Sequence, residues 1–349
     1  MLPRASRSPV RRHGAGALTA LALAAATLGL IPPARAAVPE TLTLYSAQHA
    51  QVVKLLTDAF TKQTGIRVRV HNGEAPGIAS QIVREGKSSP ADVVFVENSP
   101  ELVLLDEHHL LAPVAPATLA RVPAADSAPD GSWLGVLARE NVLAYNPKVI
   151  ARSALPASLM DLAKPQWKGR VAIAPSDADF LPLVGAVIRL KGKAAALAWL
   201  KGLRNNAHVY DDDEGVVAAV NRGSVATGIV NNYYWARLRT EFGAARTPSA
   251  LHRFAPADVG NLINVSGAAL LASSRHQAAA QRFLAFMVSR EAQEMLAKST
   301  VDYEYPLVPG VAPNALLVPM ASLHPAPIRP AQLGDDQAAA RLLQQAGLI

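Results

Sequence analysis

Four side chains in this sequence make up a hard, anionic donor set: His49, Glu97 and the adjacent phenols Tyr233 and Tyr234. Phenolate and carboxylate oxygens suit a small, highly charged cation, and the chain has no cysteine to supply a soft ligand. A free phenol ionises at a pH of about 10, so only a strong Lewis acid strips two of them at neutral pH. One carboxylate and two phenolates cancel the charge of Fe³⁺, and a neutral imidazole adds a fourth donor. That balance favours a ferric ion over a divalent one. Each residue also has an ordinary reading. A histidine after a strand is usually at the surface or hydrogen-bonded, a glutamate there is usually solvated, and Tyr233-Tyr234-Trp235 would serve equally as packing.

Alternating β-rich and helical runs would have to place these groups. Strands are expected at Thr41–Ser46, Ile66–Val70, Asp92–Val96, Arg170–Ala174 and Ala226–Val230. Helices are expected at Ala50–Thr64, Phe180–Lys191, Ala194–Leu203, Tyr233–Phe242, Ala278–Val288 and Gln337–Ala346. This spacing implies an α/β fold, with sheets flanked by helices. His49, Glu97 and the tyrosines each follow a strand, and open α/β sheets bind ligands beyond the carboxyl ends of their strands. Adjacent strand residues face opposite ways, so both phenols converge only where strand gives way to helix. The extended runs Asn141–Tyr145 and Leu262–Leu271 are the candidate hinge strands between two lobes.

Composition narrows the class. Residues 1–36 read as a cleavable export signal: Arg4, Arg7, Arg11 and Arg12, then an apolar run, then Ala34-Arg35-Ala36. The chain carries 34 Lys+Arg against 27 Asp+Glu, a net +7, but five of those positives and none of the acids lie in this segment. The remainder is therefore 29 against 27, or +2, and no basic stripe for nucleic acid remains. Without cysteine there is no lipid-anchor site, so the periplasm and a monomer are expected. Gly-x-Ser-x-Gly, Walker-type and His-Glu-x-x-His patterns are absent, and an enzyme is not expected.

The motifs Tyr45-Ser46-Ala47-Gln48-His49, Ser89-Pro90-Ala91-Asp92-Val93 leading to Glu97, and Asn231-Asn232-Tyr233-Tyr234-Trp235 resemble those of periplasmic ferric-ion-binding proteins. Leu197–Leu203, Ser266-Gly267-Ala268-Ala269 and Glu304-Tyr305-Pro306 extend the likeness through nearly the whole chain after the signal. The resemblance implies a two-lobed type II periplasmic-binding fold that closes on Fe(III) and serves an inner-membrane ABC permease with its ATPase. It also implies that His49 and Glu97 come from the first lobe and Tyr233 and Tyr234 from the second. The first lobe is expected at 37–138 with about 265–305, the second at 139–264 with about 306–349. The alternative is a carrier of the same fold for an organic cation or oxyanion.

One segment departs from the family. Where members cradle a phosphate with Ser, Gly and Ala at a helix start, this chain has Ala174-Pro175-Ser176-Asp177-Ala178-Asp179-Phe180. Asp213 likewise stands where a neutral Asn is expected. Two carboxylates would repel an anion. Asp177 or Asp179 then caps the helix, or carbonate rather than phosphate binds elsewhere against Arg139, or Asp177 gives an oxygen to iron. Ser176 and Asn231 complete the candidates for an anion or extra ligand. Tyr303, beside Glu304-Tyr305-Pro306, is expected at the surface, with an approach to the cleft as the alternative.

Overall fold

A computed structural model of the protein describes residues 40–349. The expected export signal, 1–36, lies outside the described residues. Eleven strands form one continuous hydrogen-bonded system: β1 (Thr41–Ala47), β2 (Arg67–Asn72), β3 (Val93–Val96), β4 (Leu111–Ala112), β5 (Leu134–Tyr145), β6 (Val171–Ile173), β7 (Ala207–Val209), β8 (Thr227–Asn231), β9 (Ala250–His252), β10 (Ile263–Leu271) and β11 (Tyr305–Pro306). The main order is β2-β1-β3-β10-β5-β8-β6-β7. The β1–β2, β1–β3, β6–β7 and β6–β8 pairs are parallel, as the alternating pattern requires. The strands through the middle run antiparallel.

β5 joins the two halves. Its first part pairs with β10 and β11, its second with β8 and β9. Every residue of this twelve-residue strand is buried, which suits a central strand covered on both faces. The candidate hinge run Asn141–Tyr145 is thus the end of a longer strand, and Leu262–Leu271 corresponds to β10.

Helices cover the sheet: α1 (Ala50–Thr64), α2 (Ala75–Glu85), α3 (Ser99–Glu107), α4 (Pro116–Leu119), α5 (Phe180–Lys191), α6 (Lys193–Asn206), α7 (Asp213–Arg222), α8 (Asn232–Phe242), α9 (Gln277–Met287), α10 (Arg290–Lys298) and α11 (Gln337–Ala346). Two large apolar cores result. One gathers Leu44, Phe60, Val94, Leu137, Leu270 and Phe283; the other gathers Leu143, Phe180, Leu183, Trp199, Leu200 and Leu343. Burying each such side chain contributes about 1.5–3 kcal/mol. After Tyr305 the chain reaches both: Leu307 and Leu323 lie in the first core, Leu333 to Ala346 in the second. The helices α2, α3, α4, α7 and α10 are not among those expected; each is short, four to eleven residues.

Two glycines explain why helices sit so close to the strands that carry the site. A Cβ on Gly228 of β8 would collide with Val216 of α7, and one on Gly267 of β10 with Leu102 of α3. The Gly of Ser266-Gly267-Ala268-Ala269 is therefore a close-packing requirement, which a larger residue would violate. Among the described residues, no helix is long and apolar enough to cross a membrane.

Candidate functional site

His49 occupies the position before α1, immediately beyond β1, and Glu97 the position beyond β3. Tyr233 and Tyr234 lie in the first turn of α8, where β8 ends. The strand-to-helix change puts the two rings on one side, with centroids 4.2 Å apart. All four converge. His49 Nδ1 is 3.4 Å from Glu97 Oε1, and the His49 ring meets Tyr233 edge-on at 5.0 Å. Among the described residues no three His, Asp or Glu side chains form a metal cage by themselves.

Backbone anchors hold the tyrosine turn. Asn232 accepts from the Glu140 N–H on β5 and donates to the Tyr303 carbonyl. The Asn231 N–H donates to Asp213 Oδ2 at 3.1 Å, and the Asn231 side-chain amide reaches Asp179. Tyr303 is not at the surface as expected: it is 3 % exposed and packs with Tyr233 and Ala236. Its hydroxyl is bound to Thr240.

The acidic segment sorts its carboxylates by direction. Asp179 is the residue before α5, yet its side chain caps no helix N–H. Asp179 instead accepts the Tyr233 hydroxyl at 2.6 Å, Arg139 Nη1 at 3.0 Å and Asn98 Nδ2 at 3.2 Å. Asp177 turns back onto the backbone, accepting from the Asp179 N–H at 3.0 Å and the Asp213 N–H at 3.1 Å. Ser176 is exposed, and its hydroxyl donates to the Asp211 carbonyl. Asp179, not Asp177, is thus the carboxylate hydrogen-bonded to Tyr233.

Arg139 is the electrostatic centre. It is 1 % exposed and lies within 3.0 Å of Asp179, 3.3 Å of Glu304 and 3.7 Å of Glu97. Ser266 Oγ accepts from its Nη2, while its Nε is buried with no partner among the described residues. Burial opposes its charge, but Glu304 and Asp179 more than restore it. Burial would also raise Asp179, yet Arg139 and the hydrogen bonds from Tyr233, Asn231 and Asn98 hold it below the usual carboxylate range. The other acids go the opposite way. Burial, then Asp179, pushes Glu97 well up and Asp177 to about 6. Both phenols are raised above their ordinary value by burial and then by Asp179. Burial, with Arg237 and Arg139, lowers His49 to about 4, so its imidazole is neutral at neutral pH.

Gln48, Ser266 and Glu304 lie within the sequence motifs, but their residue types alone assign them no role. Gln48 Nε2 donates to Ser266 Oγ at 2.7 Å and to Glu304 Oε2 at 3.2 Å, which fixes its amide orientation. Its Oε1 then accepts from the His49 backbone N–H and faces His49 Nδ1 at 2.8 Å. An amide oxygen only accepts, so the ring proton sits on Nδ1 and Nε2 keeps its lone pair. Gln48→Leu should scramble this tautomer, seen as changed ring ¹⁵N shifts, and weaken any metal held through His49 by about 10–100-fold. Unchanged shifts and affinity would exclude an orienting role.

Two sheets joined through crossing strands, with donors gathered where β1, β3 and β8 end, define a two-lobed type II periplasmic-binding fold. The chain belongs to the bacterial extracellular solute-binding proteins, whose family profile matches residues 56–325, and within them to the periplasmic ferric-ion-binding group. An Fe(3+)-binding periplasmic protein of Serratia marcescens is 40% identical over 330 residues, 94% of this chain and 97% of that one. A major ferric iron-binding protein of Neisseria meningitidis serogroup A is 36% identical over 329 residues, covering 94% and 98%. The crystal structure of iron-bound HitA from Pseudomonas aeruginosa matches with a TM-score of 0.84 at 43% identity, covering 88% of this chain and all of that one.

Proposed function

We propose that the protein captures Fe(III) between its two apolar cores, read as lobes, and delivers it to an inner-membrane ABC permease with its ATPase. His49 and Glu97 are the ligands from one lobe, Tyr233 and Tyr234 from the other. The observation that carries this reading is their convergence: three hard oxygen donors and an imidazole from three strand ends, within ring-contact and near hydrogen-bond distance of one another. Export by a cleaved signal, action in the periplasm as a monomer and absence of a lipid anchor belong to the same reading.

The carboxylate of Asp179 stands in for a synergistic anion. It already neutralises Arg139, the buried cation that would attract carbonate. Iron loading then requires neither carbonate nor phosphate. Asp177 and Asp213 are taken up by backbone N–H groups, which removes the motive for an organic-cation site.

Ferric loading of the iron-free protein should give one iron per chain and a visible phenolate-to-iron band. The phenols, raised above an ordinary value already near 10, are protonated at neutral pH and must ionise to bind, so loading releases about two protons per iron. His49, at about 4, releases none until the pH falls that far. Affinity therefore declines as pH drops from 7, driven first by the oxygen ligands and below about 5 also by the imidazole. A pH-stat titration measures the release. Loading with neither colour nor proton release would refute the assignment.

A further inference from the structure

At the opposite ends of β1 and β3 from His49 and Glu97 lies a second polar cavity of about 430 Å³. Strand rise places it roughly 15 Å or more from the tyrosine pair's side of the sheet. Its walls come from the start of β1 (Thr41, Thr43), Arg69 of β2, the turn 87–92 and the loop 273–276.

Three cations line it, Arg69, Lys87 and Arg275, and none has a carboxylate partner among the described residues. Arg69 Nη2 donates only to Thr43 Oγ1, at 3.0 Å. The one acid in the wall, Asp92, is already saturated: Oδ2 accepts from the Thr43 N–H at 2.8 Å, and Oδ1 accepts from Ser274 at 2.6 Å and faces His276 Nδ1 at 3.1 Å. Arg69, Lys87 and Arg275 against Asp92 give the lining three positive charges to one negative. The Ser273 hydroxyl is buried there with no partner. An unpaired buried hydroxyl costs free energy unless something completes it.

We propose that this cavity is an oxyanion site for a phosphate-type dianion, either free phosphate or the phosphate group of a small ester. The charge matches a dianion, the hydroxyls and guanidinium groups match its oxygens, and the volume leaves room for a short ester tail. The site is separate from the iron ligands and does not depend on their assignment.

The test is a ³¹P line-broadening titration at low ionic strength, with inorganic phosphate and with glycerol phosphate as probes. Four forms are compared: wild type, Tyr233→Phe/Tyr234→Phe, Lys87→Ala/Arg275→Ala and the charge-keeping Lys87→Arg/Arg275→Lys. Lys87 and Arg275 are exposed, so their replacement leaves both cores intact. One saturable site should persist in the tyrosine and charge-keeping variants and weaken about tenfold or more in the alanine variant. It should also weaken in high salt. Tighter binding of the ester identifies it as the ligand, and equal binding identifies free phosphate. Absence of saturation in wild type on the order of 10 mM probe overturns the proposal. So does unchanged binding in the alanine variant, or loss confined to the tyrosine variant, which would place the anion among the iron ligands.

Discussion

A Tyr233→Phe, Tyr234→Phe double variant should lose its ferric colour and bind iron roughly ten-thousand-fold more weakly. A structural four-ligand Zn²⁺ site is worth about 10–16 kcal/mol at neutral pH, a scale of about 3 kcal/mol per ligand. Each 1.4 kcal/mol is about tenfold, so two ligands account for about four orders of magnitude. The variant keeps both rings, and with them the packing of Tyr233 against Ala236 and Tyr303. Asp179 loses one donor but retains Arg139 and Asn98, so unfolding does not explain the loss. Circular dichroism checks the fold, and competition against citrate measures the affinity. Each single variant should keep a weaker, shifted band. A double variant as coloured as wild type would mean that other residues hold the metal.

Asp179→Ala should change the anion requirement. Wild type stripped of phosphate and carbonate is expected to load iron unaided, while the variant should load well only when carbonate is restored. Removing the carboxylate frees Arg139 Nη1, and Nε is already without a partner among the described residues, so the uncovered guanidinium attracts carbonate. The substitution also costs stability. Breaking one side of a buried ion pair costs about 3–5 kcal/mol, and Glu304 at 3.3 Å should hold the loss near the lower end. The sign with pH follows from the depressed Asp179 pKa. Its contribution is complete above the unfolded carboxylate value of about 3.9 and is lost only as pH falls through the lower folded value. Wild type and variant should thus differ fully at pH 7 and converge in strong acid. If stripped wild type cannot load until carbonate is added, Asp179 is not the substitute anion.

Much of the fold was legible before any coordinates. Ala50–Thr64, Phe180–Lys191 and Gln337–Ala346 match α1, α5 and α11 to the residue, because each has a long apolar stripe and a glycine stop. The strands before His49, Glu97 and Tyr233 were also readable, since β-branched runs at those points are short and bounded. Helices α2 and α7 are less legible because each is short, with a glycine in its first turns, and packing on β1 and β8 rather than propensity makes them helical. Tyr303 lies between two acids, Asp302 and Glu304, yet all three are buried, with Glu304 3.3 Å from Arg139.

Local sequence alone determined the donor types, their placement after strands, the lack of sulfur ligands and the excess of carboxylates at 177–179. These follow from residue chemistry and short-range periodicity. Only the tertiary structure decided which carboxylate faces the tyrosines. Arg139 and Asp179 are 40 residues apart, and Tyr233 is a further 54 away. The turn from β6 into α5 spends Asp177 on two backbone N–H groups and aims Asp179 at a guanidinium carried by β5. A two-residue difference in sequence thus becomes a difference between capping a loop and neutralising the buried charge at the centre of the site.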